Sequence, residues 1–164
     1  MTAPASVAVQ RRIDWTDTDA AGIYHHSTVW RLVEAAEATL HDRLGIRHET
    51  FGATPRVRVS AEFRRPLAFW DLVDVTLTVS AVGRSAASYT FALHHDGELA
   101  AQGEITTVLI DRADGTTAAW PQDWRALLLE GGPQAPERIT SAAEPADGPR
   151  DRGGDGQPGS DTPR

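Results

Sequence analysis

Residues 12–34, RIDWTDTDAAGIYHHSTVWRLVE, restrict the possible folds of this chain more than any other stretch. Upstream, Val7, Val9, Arg11, Ile13 and Trp15 share one parity and are mostly apolar, as a half-buried strand requires. The run Asp17-Thr18-Asp19-Ala20-Ala21-Gly22 then stops the ladder, because carboxylates favour turns and glycine reaches backbone angles other residues avoid. From about Ser27 the period changes. Val29, Val33, Ala36, Leu40 and Leu44 follow steps of three and four, one stripe of an amphipathic helix over residues 27–44. A carboxylate therefore sits in the loop that leads into the positive end of a helix, an arrangement suited to chemistry on a carbonyl. Spacing alone leaves a plainer role open, in which Asp17 and Asp19 cap the helix or shape the turn.

Downstream the pattern is one of strands. Gly45 stands at a C-cap position, and residues 48–55 read as a connector. Val57, Val59, Ala61 and Phe63 alternate with polar residues, as do Val73, Val75, Leu77, Val79 and Ala81. Ala87, Tyr89, Phe91 and Leu93 make a third alternation, and residues 99–111 a last long strand. Residues 121–129 read as a closing helix with proline near its first turn. One strand, one long helix and four further antiparallel strands predict an α+β domain over residues 1–130. Residues 131–164 are rich in Gly, Pro, Ala, Asp and Arg, with Ile139 the only large aliphatic. They read as a disordered tail.

Composition removes several function classes. There is no cysteine, so disulfides, thiolate metal sites and a thiol nucleophile are excluded. There is no lysine either, which excludes Schiff-base chemistry and a Walker-type phosphate loop. Any phosphate held by a side-chain cation must be held by arginine. A net charge of −7 disfavours nucleic acid as a main partner. The amino-terminal segment lacks the basic start and apolar core of a signal peptide, and no run approaches membrane-spanning length, so a cytoplasmic protein without a membrane partner is expected.

The motif Asp-Thr-Asp-Ala-Ala-Gly-Ile-Tyr-His-His-Ser, followed by a helix carrying Glu34, resembles that of the 4-hydroxybenzoyl-CoA thioesterase family, which includes the Tol–Pal-associated acyl-CoA thioesterases. Residues 63–71, FRRPLAFWD, resemble the family's strand–turn–strand signature, and Val82-Gly83-Arg84-Ser85 its next hairpin. Together the three matches cover residues 7–111 in register. The resemblance implies a hotdog fold, a long antiparallel sheet wrapped around one central helix, in homodimers or pairs of dimers with active sites between subunits. It implies hydrolysis of an acyl thioester of coenzyme A or an acyl carrier protein, with no metal and no cofactor beyond the substrate's own pantetheine.

Carried over residue by residue, the resemblance places Asp19 as general base or nucleophile. It gives the main-chain N–H of His26 the role of oxyanion donor, and makes Glu34 an alternative catalytic acid on the helix. Asp17 is structural in this reading. Gly22, Ile23, Trp70, Arg84 and Ser85 are the expected substrate-binding positions, Arg84-Ser85 meeting the pantetheine arm. His25 and His26 are neighbours that point apart, which argues against a shared metal. Val29 and Trp70 depart from the family's usual Tyr and small residue, and Trp70 bears on the acyl pocket. Two other readings compete: a hotdog dehydratase or hydratase, whose Asp–His pair is not found here, and a non-catalytic acyl-thioester-binding dimer.

Overall fold

Alternation in the sequence becomes alternation in burial. Val73, Val75, Leu77 and Val79, and Ala87, Tyr89, Phe91 and Leu93, all turn inward and are buried. The computed structural model describes residues 2–139. Strands β1 (Ser6–Arg12), β2 (Arg56–Phe63), β3 (Leu72–Val82), β4 (Ala86–His95) and β5 (Glu98–Val108) form one antiparallel sheet in the order β1-β3-β4-β5-β2. Helix α1 (Thr28–Arg43) lies against it, followed by the short α2 (Arg47–Thr50), and α3 (Gln122–Glu130) comes last. The predicted stripe holds. Val29, Val33, Ala36 and Leu40 are fully buried and Leu44 packs at the core's edge. The valine and leucine side chains among them contribute about 1.5–3 kcal/mol each on burial, so the helix is fixed by packing more than by propensity. Gly45 ends it at φ +74°, an angle a side chain would strain.

Three expectations need correcting. The first strand stops at Arg12, and Trp15 is 74% exposed within a 3-10 turn over Trp15–Asp17. The cause is local: the Asp17 carboxylate accepts from the Asp14 N–H at 2.7 Å and coils the chain back. Second, the apolar side of β2 is not buried within the protomer. Val57 is 60%, Val59 47% and Phe63 48% exposed.

The third concerns the tail, because residues 131–139 lie along β1. Ser6 donates to the Gly132 carbonyl and Gln134 to that of Ser6. Glu137 donates to Ala8, and Gln10 to Glu137, giving parallel bridges at Ser6–Pro133 and Val9–Glu137. Glu137 pairs with Arg11 at 2.6 Å and Arg138 with Asp74 at 3.1 Å. The sequence hides this because the attachment runs through backbone groups, which leave no apolar pattern. Residues 140–164 of the expected tail lie outside the described residues. A chain ending at Glu130 should therefore melt several degrees below one ending at Ile139. The direction follows from what the cut removes: five backbone bonds, the four above and one from the Gly132 N–H to the Ala3 carbonyl, together with the ion pairs of Glu137 and Arg138. Equal melting temperatures would show that the strap adds nothing.

Candidate active site

The loop between β1 and α1 is built around Asp17. Its side chain is buried and takes a two-point contact from Arg31, Nε to Oδ1 at 2.9 Å and Nη2 to Oδ2. Its carbonyl accepts from the His25 N–H at 2.6 Å and the Thr28 hydroxyl at 2.9 Å. Asp17 thus ties the start of the loop to the start of the helix. That is a structural role.

Asp19 stands out from this anchored base. Its N–H donates to the Ile23 carbonyl and its carbonyl accepts from Gly22, both at 3.0 Å, closing a tight turn with Gly22 at φ +77°. Oδ1 accepts from the Ala21 N–H at 2.8 Å, which fixes the carboxylate's direction. Among the described residues Oδ2 has no partner, and the side chain is exposed. Ile23 bridges to Ala68, and Tyr24 donates to the Leu67 carbonyl at 2.8 Å, so this loop docks on the segment between β2 and β3.

At the helix start the Ser27 hydroxyl and N–H both point at His25 Nδ1, at 2.7 and 3.2 Å. Two donors on one ring nitrogen leave Nδ1 unprotonated and put the proton on Nε2. The His26 ring lies against that of His25, centroids 4.1 Å apart and planes tilted by 41°, so the two side chains do not point apart as the sequence reading expects. Among the described residues nothing accepts from the His26 main-chain N–H. An exposed carboxylate and an unused N–H at a helix N-terminus therefore occupy one loop, and together they can activate a nucleophile and hold a developing oxyanion.

The expected binding positions separate into two groups. Gly22, Ile23 and Trp70 gather at the Asp19 end. Trp70 has φ +75°, rare for a bulky residue, and is held by the Ile13 carbonyl at 2.8 Å with the Arg12 guanidinium over its ring at 4.6 Å. Trp15, Phe69 and Trp70 form an exposed aromatic rim there, Trp15 meeting Phe69 edge-on at 5.6 Å. Arg84 and Ser85 do not join them. Leu72 pairs with Arg12 near the Asp19 loop, whereas Val82 pairs with Ala87 at the far end of the strand. The length of β3, roughly 33 Å at about 3.3 Å per residue, thus lies between the Arg84 hairpin and the end that carries the Asp19 loop. Within one protomer the hairpin instead packs on the C-terminal elements, Trp120 donating to the Arg84 carbonyl and Arg125 to that of Gly83.

Glu34 is exposed, 4.0 Å from Arg56, at the rim of a cavity of about 460 Å³ beneath the C-terminal half of α1. On this face of α1, Glu37 and His41 line the cavity and are buried, at 7% and 3% exposure. Glu37 pairs with Arg56, and burial pushes its carboxyl above the usual range, against the pull of that guanidinium. Thr50 gives its hydroxyl proton to the Ile46 carbonyl and so accepts from His41 Nδ1 at 2.8 Å. His41 Nε2 then takes the Tyr89 hydroxyl at 3.0 Å. Neither Glu37 nor His41 is among the expected site positions; their i, i+4 spacing on the face of Glu34 was the available signal for a second buried face.

Burial holds His41 neutral, its pKa lowered from 6.5 to about 4. The folded state then binds fewer protons than the unfolded state between those values. The stabilisation is complete above about pH 6.5 and is lost as pH falls toward 4, at up to about 1.4 kcal/mol per pH unit. Glu37, shifted upward, acts in the opposite sense as pH rises above its ordinary value. Denaturant titrations of the wild type and of His41→Gln should differ in slope within this window, and parallel curves would contradict the buried neutral imidazole.

Among the described residues no three His, Cys, Asp or Glu side chains converge as a metal site requires, and no helix is long and apolar enough to cross a membrane. Comparison with known proteins bears on the whole arrangement. A 1,4-dihydroxy-2-naphthoyl-CoA hydrolase of Synechococcus elongatus is 24% identical over 135 residues, covering 77% of this chain and 99% of its own. The crystal structure of a 1,4-dihydroxy-2-naphthoyl-CoA thioesterase from Synechocystis superposes with a TM-score of 0.69 at 19% identity, over 75% of this chain and 95% of that one. A 4-hydroxybenzoyl-CoA thioesterase complexed with 4-hydroxybenzoyl-CoA gives 0.67 at 20% identity, over 75% and 98%. The fold is thus the hotdog α+β fold. Residues 13–128, from the end of β1 into α3, match the family described as the thioesterase-like superfamily, and the chain belongs to it.

Proposed function

We propose that the chain hydrolyses an acyl thioester of coenzyme A to the free acid and thiol, with Asp19 and the His26 N–H as the reacting pair. The observation that carries this reading is their shared loop, which holds an oriented exposed carboxylate and, before the positive end of α1, an unclaimed donor. The names of the relatives, hydrolases and thioesterases of acyl-CoA, support the same reaction. As base, Asp19 draws a proton from water while the water oxygen attacks the carbonyl carbon. As nucleophile, its own oxygen attacks and water later cleaves the anhydride. In both routes the carbonyl oxygen becomes anionic against the His26 N–H, and the C–S bond breaks as the tetrahedral centre collapses. No metal or further cofactor is required. An acyl carrier protein would present the same thioester on the same arm, and the setting we infer is cytoplasmic.

The working unit in this reading is a homodimer joined through β2. The C-terminal strap covers the β1 edge of the sheet, while β2 presents an open edge with Val57, Val59 and Phe63 exposed. Two-fold pairing of β2 with its copy is antiparallel, so the Arg56 end of one strand meets the Phe63 end of the other. Tyr24 and its loop sit at the Phe63 end, ring centroids 6.1 Å apart, and Glu37 sits at the Arg56 end. Each Asp19 loop would thereby face the Glu34–Glu37 cavity of its partner, and Arg84 would serve the arm of a substrate held across the interface. Two dimers associating further is compatible with this.

The test is a panel of aliphatic and aromatic acyl-CoA and acyl-carrier thioesters with detection of free thiol, run beside a solution mass. The expected outcome is turnover by a species of two or four chains. A silent panel with measurable acyl-CoA binding would replace hydrolysis by binding, and an active single chain would undo the interface.

A further inference from the structure

We propose that His95 is a positioning residue for the hydrolysis, holding through Asp71 the turn on which the Asp19 loop is seated. His95 is the last residue of β4, and its ring reaches across to the segment that leads into β3. Nδ1 lies 2.8 Å from the Leu72 carbonyl, which can only accept, so Nδ1 carries a proton in either charge state. Nε2 faces carboxylate oxygens on two sides, Asp96 Oδ2 at 3.4 Å and Asp71 Oδ1 at 3.6 Å. A neutral ring would present a lone pair to both. The arrangement therefore suits the imidazolium, which attracts both carboxylates. From Asp71 the link runs on toward Asp19. Asp71 Oδ2 accepts from the Ala68 N–H at 2.8 Å, and the Asp71 N–H donates to the Ala68 carbonyl at 3.2 Å, which closes the turn carrying Phe69 and Trp70. Ala68 bridges to Ile23, and the Ile23 carbonyl accepts from the Asp19 N–H at 3.0 Å. One oxygen of Asp71 thus meets His95 while the other holds the turn.

The charged groups around the ring fix the sign of its pH response. Among the described residues they are Asp71 from the segment before β3, Asp96 from the β4–β5 turn and Glu98 from β5, with Glu98 itself paired to Arg65. The Leu72 carbonyl does most to raise the pKa of His95; partial burial opposes it, and Asp71, Asp96 and Glu98 add to the rise. The clamp is therefore complete below the ordinary value of about 6.5 and is lost as pH rises through the raised one. That the loop so held performs hydrolysis rests on the role proposed for Asp19.

An NMR titration of the full chain tests the clamp without reference to turnover. In the wild type the Ile23 and Ala68 amide signals should shift with the same midpoint as the His95 ring, and in His95→Gln they should lose that transition. Asp71→Asn keeps an oxygen for the Ala68 N–H but not the charge, so it should lower the His95 midpoint. In acyl-CoA turnover, kcat of the wild type should fall about tenfold on the alkaline side of this midpoint, as the Asp19 loop loses its seat. His95→Gln should sit near the lower level on both sides of it. Amide signals that ignore the His95 midpoint would overturn the proposal, as would a midpoint unmoved in Asp71→Asn. Superimposable profiles of kcat against pH for the wild type and His95→Gln would do the same. Signals that follow His95 in a chain that cleaves no thioester would uphold the clamp and sink the hydrolytic reading instead.

Discussion

Asp19→Asn is expected to lower kcat for acyl-CoA hydrolysis by at least about a hundredfold, the usual scale for losing an acid–base group, with fold and assembly unchanged. The substitution is conservative where it needs to be. Asparagine keeps an oxygen for the Ala21 N–H, so the turn closed by Asp19, Gly22 and Ile23 retains its bonds. What disappears is the negative charge that takes a proton or attacks a carbonyl. Asp17→Asn makes the opposite comparison. It removes the charge that pairs with Arg31 and should affect melting temperature more than turnover. Single-turnover reaction in water enriched in heavy oxygen distinguishes the two routes, since label enters Asp19 only if an anhydride forms. A fully active Asp19→Asn enzyme would move the chemistry to Glu34 or end the assignment.

The second large effect is expected at His26, where backbone and side chain predict opposite outcomes. If the donor is the main-chain N–H, His26→Ala keeps it and retains most activity. His26→Pro deletes it, at a position just before α1, where a proline ring is tolerated. Loss of one oxyanion donor typically costs about a hundred- to a thousandfold, and that is the expected ratio between the variants, provided circular dichroism shows an intact helix. An Ala variant as impaired as Asp19→Asn would make the imidazole a catalytic partner. Two fully active variants would place the thioester oxygen elsewhere.

Local chemistry made the loop and its helix legible. Asp17 to Gly22 break a strand for reasons contained in those residues, and the stripe from Val29 to Leu40 fixes α1 and its buried side together. Glu37 and His41 show where that logic ends. A periodic pattern identifies one buried face of a helix, whereas α2 and Arg56 cover a second face with polar partners whose attraction has no period. The Arg84 hairpin was legible as a turn, but its distance from Asp19 depends on strand order, a tertiary property. The apolar face of β2 was also legible, but not its exposure, because no element of the protomer packs over Val57, Val59 and Phe63. The strap escaped notice because it binds through main-chain groups common to every sequence.

That strap also sets a limit on growth. A sheet with two open edges is a repeating unit, able to add copies at both ends without closing. Residues 132–137 cover the β1 edge and leave β2 as the open one, so the β2-to-β2 pairing we propose would end at two. A chain cut at Glu130 therefore loses a terminator as well as some melting temperature, and its characteristic failure is open-ended ribbons whose length rises with concentration.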